Sequence, residues 1–218
     1  MQHQIILVIA TRNKGKTKEI KDLLRDFPVD IKNIDDFGPI PHLEEDGATF
    51  DENAYKKASF AARILGLPAL ADDSGLTVEA LNGAPGVHSA RYAGENATDE
   101  QRYLKLLSEM EKMSNRKAAF ECVISIAVPT GPALTYEARC EGLITQVPAG
   151  SNGFGYDPVF YYPPYKKTFA ELTRQEKNRV SHRGKALGEL KVGFDKVQVW
   201  IRQHMPIQEK FRCEHDNK

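Results

Sequence analysis

The chain has 218 residues, 41% of them apolar and 28% charged, ordinary proportions for a globular protein able to bury a real core. Thirty basic and thirty acidic residues cancel, so no global field draws it to nucleic acid or to a membrane surface. No stretch is long enough to span a bilayer, and the three cysteines (Cys122, Cys140, Cys213) have neither metal-site nor disulfide-framework spacing, which suits a reducing cytoplasm.

The opening apolar run, Ile5 to Ala10, is too short for a signal-peptide core and reads as a strand buried on both faces. Polar TRNKGK follows, then Ile20, Leu23, Leu24 and Phe27 at helical spacing, so the chain begins strand, loop, helix. Thr49 and Glu52 spell a capping box for a helix whose apolar stripe is Phe50, Ala54, Ala58, Ala61 and Leu65. Gly66-Leu67-Pro68 ends it. A second short strand, Ala69 to Ala71, is expected to end in Asp72-Asp73-Ser74-Gly75. After the turn-rich NGAPG segment, Thr98 and Gln101 cap a helix carrying Leu104, Leu107 and Met110. From Lys117 the period changes to two: Ala118, Phe120, Cys122, Ile124, Ile126 and Val128 alternate, then Leu134, Tyr136, Ala138 and Cys140 beyond the PTGP turn, predicting an antiparallel hairpin. One long helix is expected from Ser181, with Leu187, Leu190, Phe194, Val197 and Ile201 on its apolar face. The polar segment 207–218 reads as a tail. These elements predict an α/β fold, an elongated mixed sheet with flanking helices, in a single two-lobed domain over 1–206.

Five segments could carry chemistry. ATRNKGKT nearly matches the phosphate-binding GxxxxGK[ST], but Ala10 stands where that loop needs glycine. The segment suits a phosphate chain, through helix-start amides and Lys14 or Lys16, or it is a solvated turn capped by Asn13 or Thr17. The acids Glu44, Glu45 and Asp46 could hold a hard cation or oppose the dipole of the helix that follows. Asp72 and Asp73 point in opposite directions, so one could face a cleft, where a carboxylate holds Mg²⁺ or takes a proton from water; the same residues also make a good turn. GFGYDPVF lets Phe154 project from a glycine-flanked loop, as a stacking face or a hydrophobic anchor. Lys177, His182 and Arg183 crowd a helix start capped by Ser181, either solvated or offering donors to oxygen acceptors.

Together and in this order, TRNKGK, GATFDENAYKKA, ADDSGLTVEALNGAPGVHSARYAG, GFGYDPVF and ELTRQEKNRVSHRGKAL resemble the noncanonical purine nucleoside triphosphate pyrophosphatases, the inosine triphosphate pyrophosphatase family, from about Ile5 to Leu190. The resemblance implies two lobes around a central active-site cleft and hydrolysis of ITP, dITP and XTP to the monophosphate and pyrophosphate with Mg²⁺. It implies a cytoplasmic homodimer that cleanses the nucleotide pool. Carried over, Thr11, Arg12, Asn13, Lys14, Gly15 and Lys16 contact the triphosphate, as does Lys57. Glu44 and Asp73 serve the metal, Asp73 accepts the proton, and Ser74 touches substrate. Phe154, Gly155, Tyr156 and Asp157 line the base pocket with Lys177, His182 and Arg183. His88 departs from the family, which commonly has tyrosine there. The rival readings are a P-loop ATPase or kinase, disfavoured by Ala10 and the hairpin, and a nucleotide-binding module without catalysis.

Overall fold

The first apolar run forms β1 (Ile5–Ile9), followed by α1 (Lys14–Leu23) and β2 (Val29–Asn33), in a computed structural model that describes residues 4–206 apart from 42, 44 and 132. Asn13 caps α1, its side chain accepting from the Lys16 amide. Then α2 (Phe50–Leu65) starts at Thr49 and stops at Gly66, which takes the left-handed conformation. Its expected capping box is half built: Thr49 accepts from the Glu52 amide, but Glu52 turns to the Ala48 amide at 2.7 Å. β3 (Ala69–Val78), α3 (Asp99–Glu109), β4 (Lys117–Ala127) and β5 (Ala133–Ile144) come next. β6 (Phe160–Tyr162), β7 (Lys167–Thr168), α4 (Arg174–Val180), α5 (His182–Val192) and α6 (Phe194–His204) complete the order.

The seven strands form one sheet in the order β2-β1-β3-β4-β5-β6-β7, parallel from β2 to β3 and antiparallel beyond. The expected hairpin is present in register from Lys117 opposite Leu143 to Ala127 opposite Ala133. Strand alternation sorts the two faces. Leu7, Ile9, Leu70, Ile124 and Ile126 pack with residues of α1, α5 and α6. The opposite face, Val8, Ala69, Ala71 and Ala127, is small, and Ala58, Ala61 and Ala62 of α2 pack on it. Further along the strands, Leu76, Phe120 and Phe160 form a second cluster with Leu106 and Met110 of α3 and with Phe169.

Several expectations change. Asp72-Asp73-Ser74-Gly75 does not end a strand; it lies mid-way along β3, because β4 continues to pair with it as far as Val78. What ends there is the neighbour on the other edge: β1 pairs only with Ala69 and Leu70, leaving that side of β3 open from Asp72. The single long helix after Ser181 is two, broken at Gly193, a poor helix former that closes α5. Leu104 is exposed, and Leu106 takes the core position on α3. Helix α4 has no counterpart among the expected elements. Glu44 and the tail 207–218 lie outside the described residues.

Candidate active site

Where β1 stops short, the open edge of β3 meets a cavity of about 260 Å³. Thr11, Arg12, Asn13 and Lys16, from the loop and first turn after β1, line it with Lys57 of α2 and Asp73 and Ser74 of β3. Phe154, Gly155, Tyr156 and Asp157 line it too, with Lys177, His182 and Arg183. Fourteen of the residues singled out in the sequence thus share one wall. Lys14 is exposed and outside that lining, and Gly15 lies behind Phe154, in an adjoining cavity. His88 is exposed and also outside the lining.

Alternation puts Asp73 on the α2 face and Asp72 on the α1 and α5 face. Lys57 Nζ donates to Asp73 Oδ1 at 2.6 Å and to the Asp72 carbonyl at 3.0 Å, and pairs with Glu45 at 3.4 Å. Lys16 Nζ reaches the same carbonyl from the other face at 3.3 Å and Asp72 Oδ1 at 2.5 Å. Two lysines from opposite layers therefore converge on one backbone oxygen of the open edge. Burial raises the proton affinity of Asp73, and the ammonium groups of Lys57 and Lys16 only partly offset it. Lys57 is held charged: burial works against it, but Asp73 and Glu45 outweigh the loss.

Asp72 is fully buried and saturated. Its carboxylate accepts from Arg183 Nε at 2.8 Å, from Ser74 Oγ at 2.7 Å and from the Cys122 thiol at 3.1 Å. Burial opposes its charge, but Arg183 and Lys16 win and hold its carboxyl well below the usual range. Arg183 also donates to Glu19, and Lys177 Nζ bridges Glu19 at 2.9 Å and Asp157 at 2.6 Å. This buried chain of ions ties α1, β3, α4, α5 and the GFGYD loop together. Glu19 was not legible as a site residue; it holds both Lys177 and Arg183 from 158 and 164 positions away.

The aromatic end is shaped by two contacts. The Phe154 ring lies over Lys177, 4.7 Å from its Nζ, and against Gly15, where a Cβ would come within 2.7 Å of the ring. His182 stacks on Phe120 with ring centroids 4.7 Å apart, and its buried Nδ1 has no partner. Burial, followed by the charge of Arg183, drives its proton affinity well down, so the imidazole is neutral. Tyr156 spends its hydroxyl on the Ser89 carbonyl at 2.9 Å.

The donor set fits a hard cation at one place. Asp73 and Glu45 both pair with the Lys57 ammonium, so two carboxylates already serve a single positive charge at the mouth of the cavity. Magnesium commonly takes one or two carboxylates and completes its shell with water. Among the described residues, no group of three or more His, Cys, Asp or Glu side chains converges as a full cage. Nor, among them, is any helix long and apolar enough to cross a membrane.

The sequence model of the Ham1 family matches residues 7–192. A dITP/XTP pyrophosphatase of Syntrophobacter fumaroxidans is 62% identical over 201 residues, 92% of this chain and 86% of the relative. One from Desulfotalea psychrophila is 55% identical over 210 residues, 96% of this chain and 94% of its own. A solved Ham1 protein structure from Coxiella burnetii superposes with a TM-score of 0.82 at 47% identity, covering 88% of this chain and all of the other.

Proposed function

The chain belongs to the Ham1 family, and on that footing we propose that it hydrolyses the deaminated purine nucleotides dITP, ITP and XTP to the monophosphate and pyrophosphate. The observation that carries this reading is the mixed lining of one cavity. Lys16, Lys57 and Asp73 share it with the Phe154 loop, Lys177, His182 and Arg183. The first group suits a triphosphate and the second a purine.

In this reading Lys16 and Lys57 bind the phosphate oxygens, and Asp73 orients a water and takes its proton as the water oxygen bonds to phosphorus. The α–β anhydride bond breaks, and pyrophosphate leaves with the bond's electron pair. A carboxylate whose proton affinity is raised by burial suits that exchange better than Asp72, whose charge is locked by Arg183. Asp73 with Glu44 are the metal ligands we assign, and Glu45 adjoins them. Mg²⁺ held there supplies charge neutralisation on the phosphates and eases deprotonation of water. At the base end, donors from Lys177, His182 and Arg183 meet the 6-keto oxygen. Adenine would set its amino group against them and leave a buried group unpaired, at about 1–3 kcal/mol.

The test is pyrophosphate release from dITP, ITP, XTP, GTP and ATP, with and without Mg²⁺. Turnover of the first three well above the last two, and only with metal, is expected; a preference for ATP would refute the reading. The family resemblance also supports a homodimer in the cytoplasm, and sizing chromatography with light scattering checks the assembly.

A further inference from the structure

The segment after β1 lacks the leading glycine of a GxxxxGK[ST] loop, and its backbone makes no use of glycine's freedom. None of residues 10–17 takes a positive φ. The Ala10 amide still donates to the Leu70 carbonyl at 2.7 Å, so the chain runs on beside β3 before it turns. The turn that follows is shaped by a side chain.

That side chain is Asn33, the last residue of β2, which is buried and level with Ile9 at the end of β1. Its Nδ2 donates to the Thr11 carbonyl at 3.2 Å and to Thr17 Oγ1 at 3.0 Å, the two ends of the segment. Between those ends, Thr11 Oγ1 accepts from the Asn13 amide at 3.2 Å, and Asn13 Oδ1 from the Lys16 amide at 3.1 Å. The Asn13 carbonyl accepts from the Thr17 amide at 2.9 Å, which closes the circuit. Asn33 is itself locked in place. Its Oδ1 accepts from the Asp35 amide at 2.9 Å, and its own amide donates to Asp36 Oδ2 at 2.7 Å, the capping box of the turn Ile34–Phe37. A side-chain amide has two N–H donors and one oxygen, and all are committed here. The same turn meets the segment again where Asp35 lies 3.5 Å from Arg12 Nε.

We propose that Asn33 is a positioning residue for phosphate binding. From the neighbouring strand it fixes both ends of 11–17, and so sets Thr11, Arg12, Asn13 and Lys16 in the cavity wall. Asn33 is not part of that wall, and the family reading gives it no role. The inference rests on the reading of this segment as the one that binds the phosphates.

Asn33→Ser separates the cap from the clamp, because serine caps a turn as well as asparagine does but has no amide to reach Thr11 and Thr17. Thr17→Val cuts one arm and keeps the shape of the side chain. We would measure by calorimetry the Kd of tripolyphosphate, which has only phosphates, and of deoxyinosine, which has none. Alongside go kcat and KM for dITP and the urea midpoint. Asn33→Ser should raise the tripolyphosphate Kd and KM about three- to tenfold, the size of one hydrogen bond. Deoxyinosine binding should be unchanged and kcat within about threefold. Thr17→Val should show the same pattern at about two- to threefold, and it decides the matter if Asn33→Ser does not fold. Tripolyphosphate binding like the wild type in the folded variants would overturn the proposal. So would an equal loss for tripolyphosphate and deoxyinosine, which would mark a residue that only supports the fold. A wild type that binds tripolyphosphate but releases no pyrophosphate from dITP would overturn the family reading instead, and the two dissociation constants would still decide on Asn33.

Discussion

Asp72 and Asp73 are neighbours on β3, and their proton affinities move in opposite directions. Both are buried, so desolvation pushes each up. Asp72 meets Arg183 and Lys16 squarely and ends well below the usual range, whereas the lysines around Asp73 do not overcome its burial. One step along a strand thus divides a structural anion from an exchangeable one. Each carboxylate has its own consequence.

Asp73→Asn should leave the fold intact and lower turnover of dITP about 10²- to 10⁴-fold, the usual worth of a positioned base. In the wild type, Asp73 must be ionised to take a proton, so the rate should fall as pH drops through its raised value. That acid limb should lie above the ordinary carboxylate range of 3.8. Pyrophosphate release across a pH series, with circular dichroism of both proteins, decides this; near-normal turnover by the folded variant would remove Asp73 from the chemistry.

Removing Asp72 is a matter of stability. Arg183 is buried, and Asp72→Ala would strip its main partner. Breaking one side of a buried ion pair costs about 3–5 kcal/mol. Arg183→Ala should be severe too, since it takes from Asp72 and Glu19 a shared buried cation and leaves each with one lysine, Lys16 and Lys177 respectively. Urea unfolding measures both, and a loss under about 1 kcal/mol, the range of an exposed pair, would contradict the network described.

Gly15→Ala places a methyl 2.7 Å from the Phe154 ring, in a helix that otherwise favours alanine. The ring must give way toward the cavity or away from Lys177. We expect KM for dITP to rise several-fold while the melting temperature stays within a few degrees. Unchanged KM would show that the Phe154 position is unimportant for binding.

His182 gives a pH effect of its own. Its folded-state affinity is far below the ordinary 6.5, so between those values the unfolded chain binds a proton that the folded chain does not. Stability should be full above that ordinary value and decline as pH falls beneath it. His182→Phe, which can keep the stack on Phe120, should flatten this part of the profile; an equally steep decline in the variant would assign it to other groups.

Local patterns carried much of the fold. The Ile5 run, the Thr49 and Thr98 caps and the alternation after Lys117 each report on short-range geometry, and each is found. Failures fall where distant partners decide. Asp72 and Asp73 resemble a turn locally, and only pairing with residues some 50 positions later makes them mid-strand. Glu19 occupies a polar slot between the apolar positions of α1 and is buried because two cations arrive from the other end of the chain. The helix break at Gly193 is a balance between one glycine and a continuing apolar stripe, which periodicity alone does not resolve. For the site, the motifs fixed which segments converge, the acidic segment with Glu45 among them, while Glu19 belongs to no motif read in isolation.

The meeting of Lys16 and Lys57 at the Asp72 carbonyl has a mechanical side. One lysine hangs from the helix below the sheet and the other from the helix above, with a single oxygen between them. A triphosphate drawing on both ammonium groups becomes a rivet through the sheet's thickness, fastening two layers at the spot where no strand joins them. Local opening of α1 and of α2 would then cease to be independent events, and their amides should slow in hydrogen exchange together when a nucleotide analogue is bound.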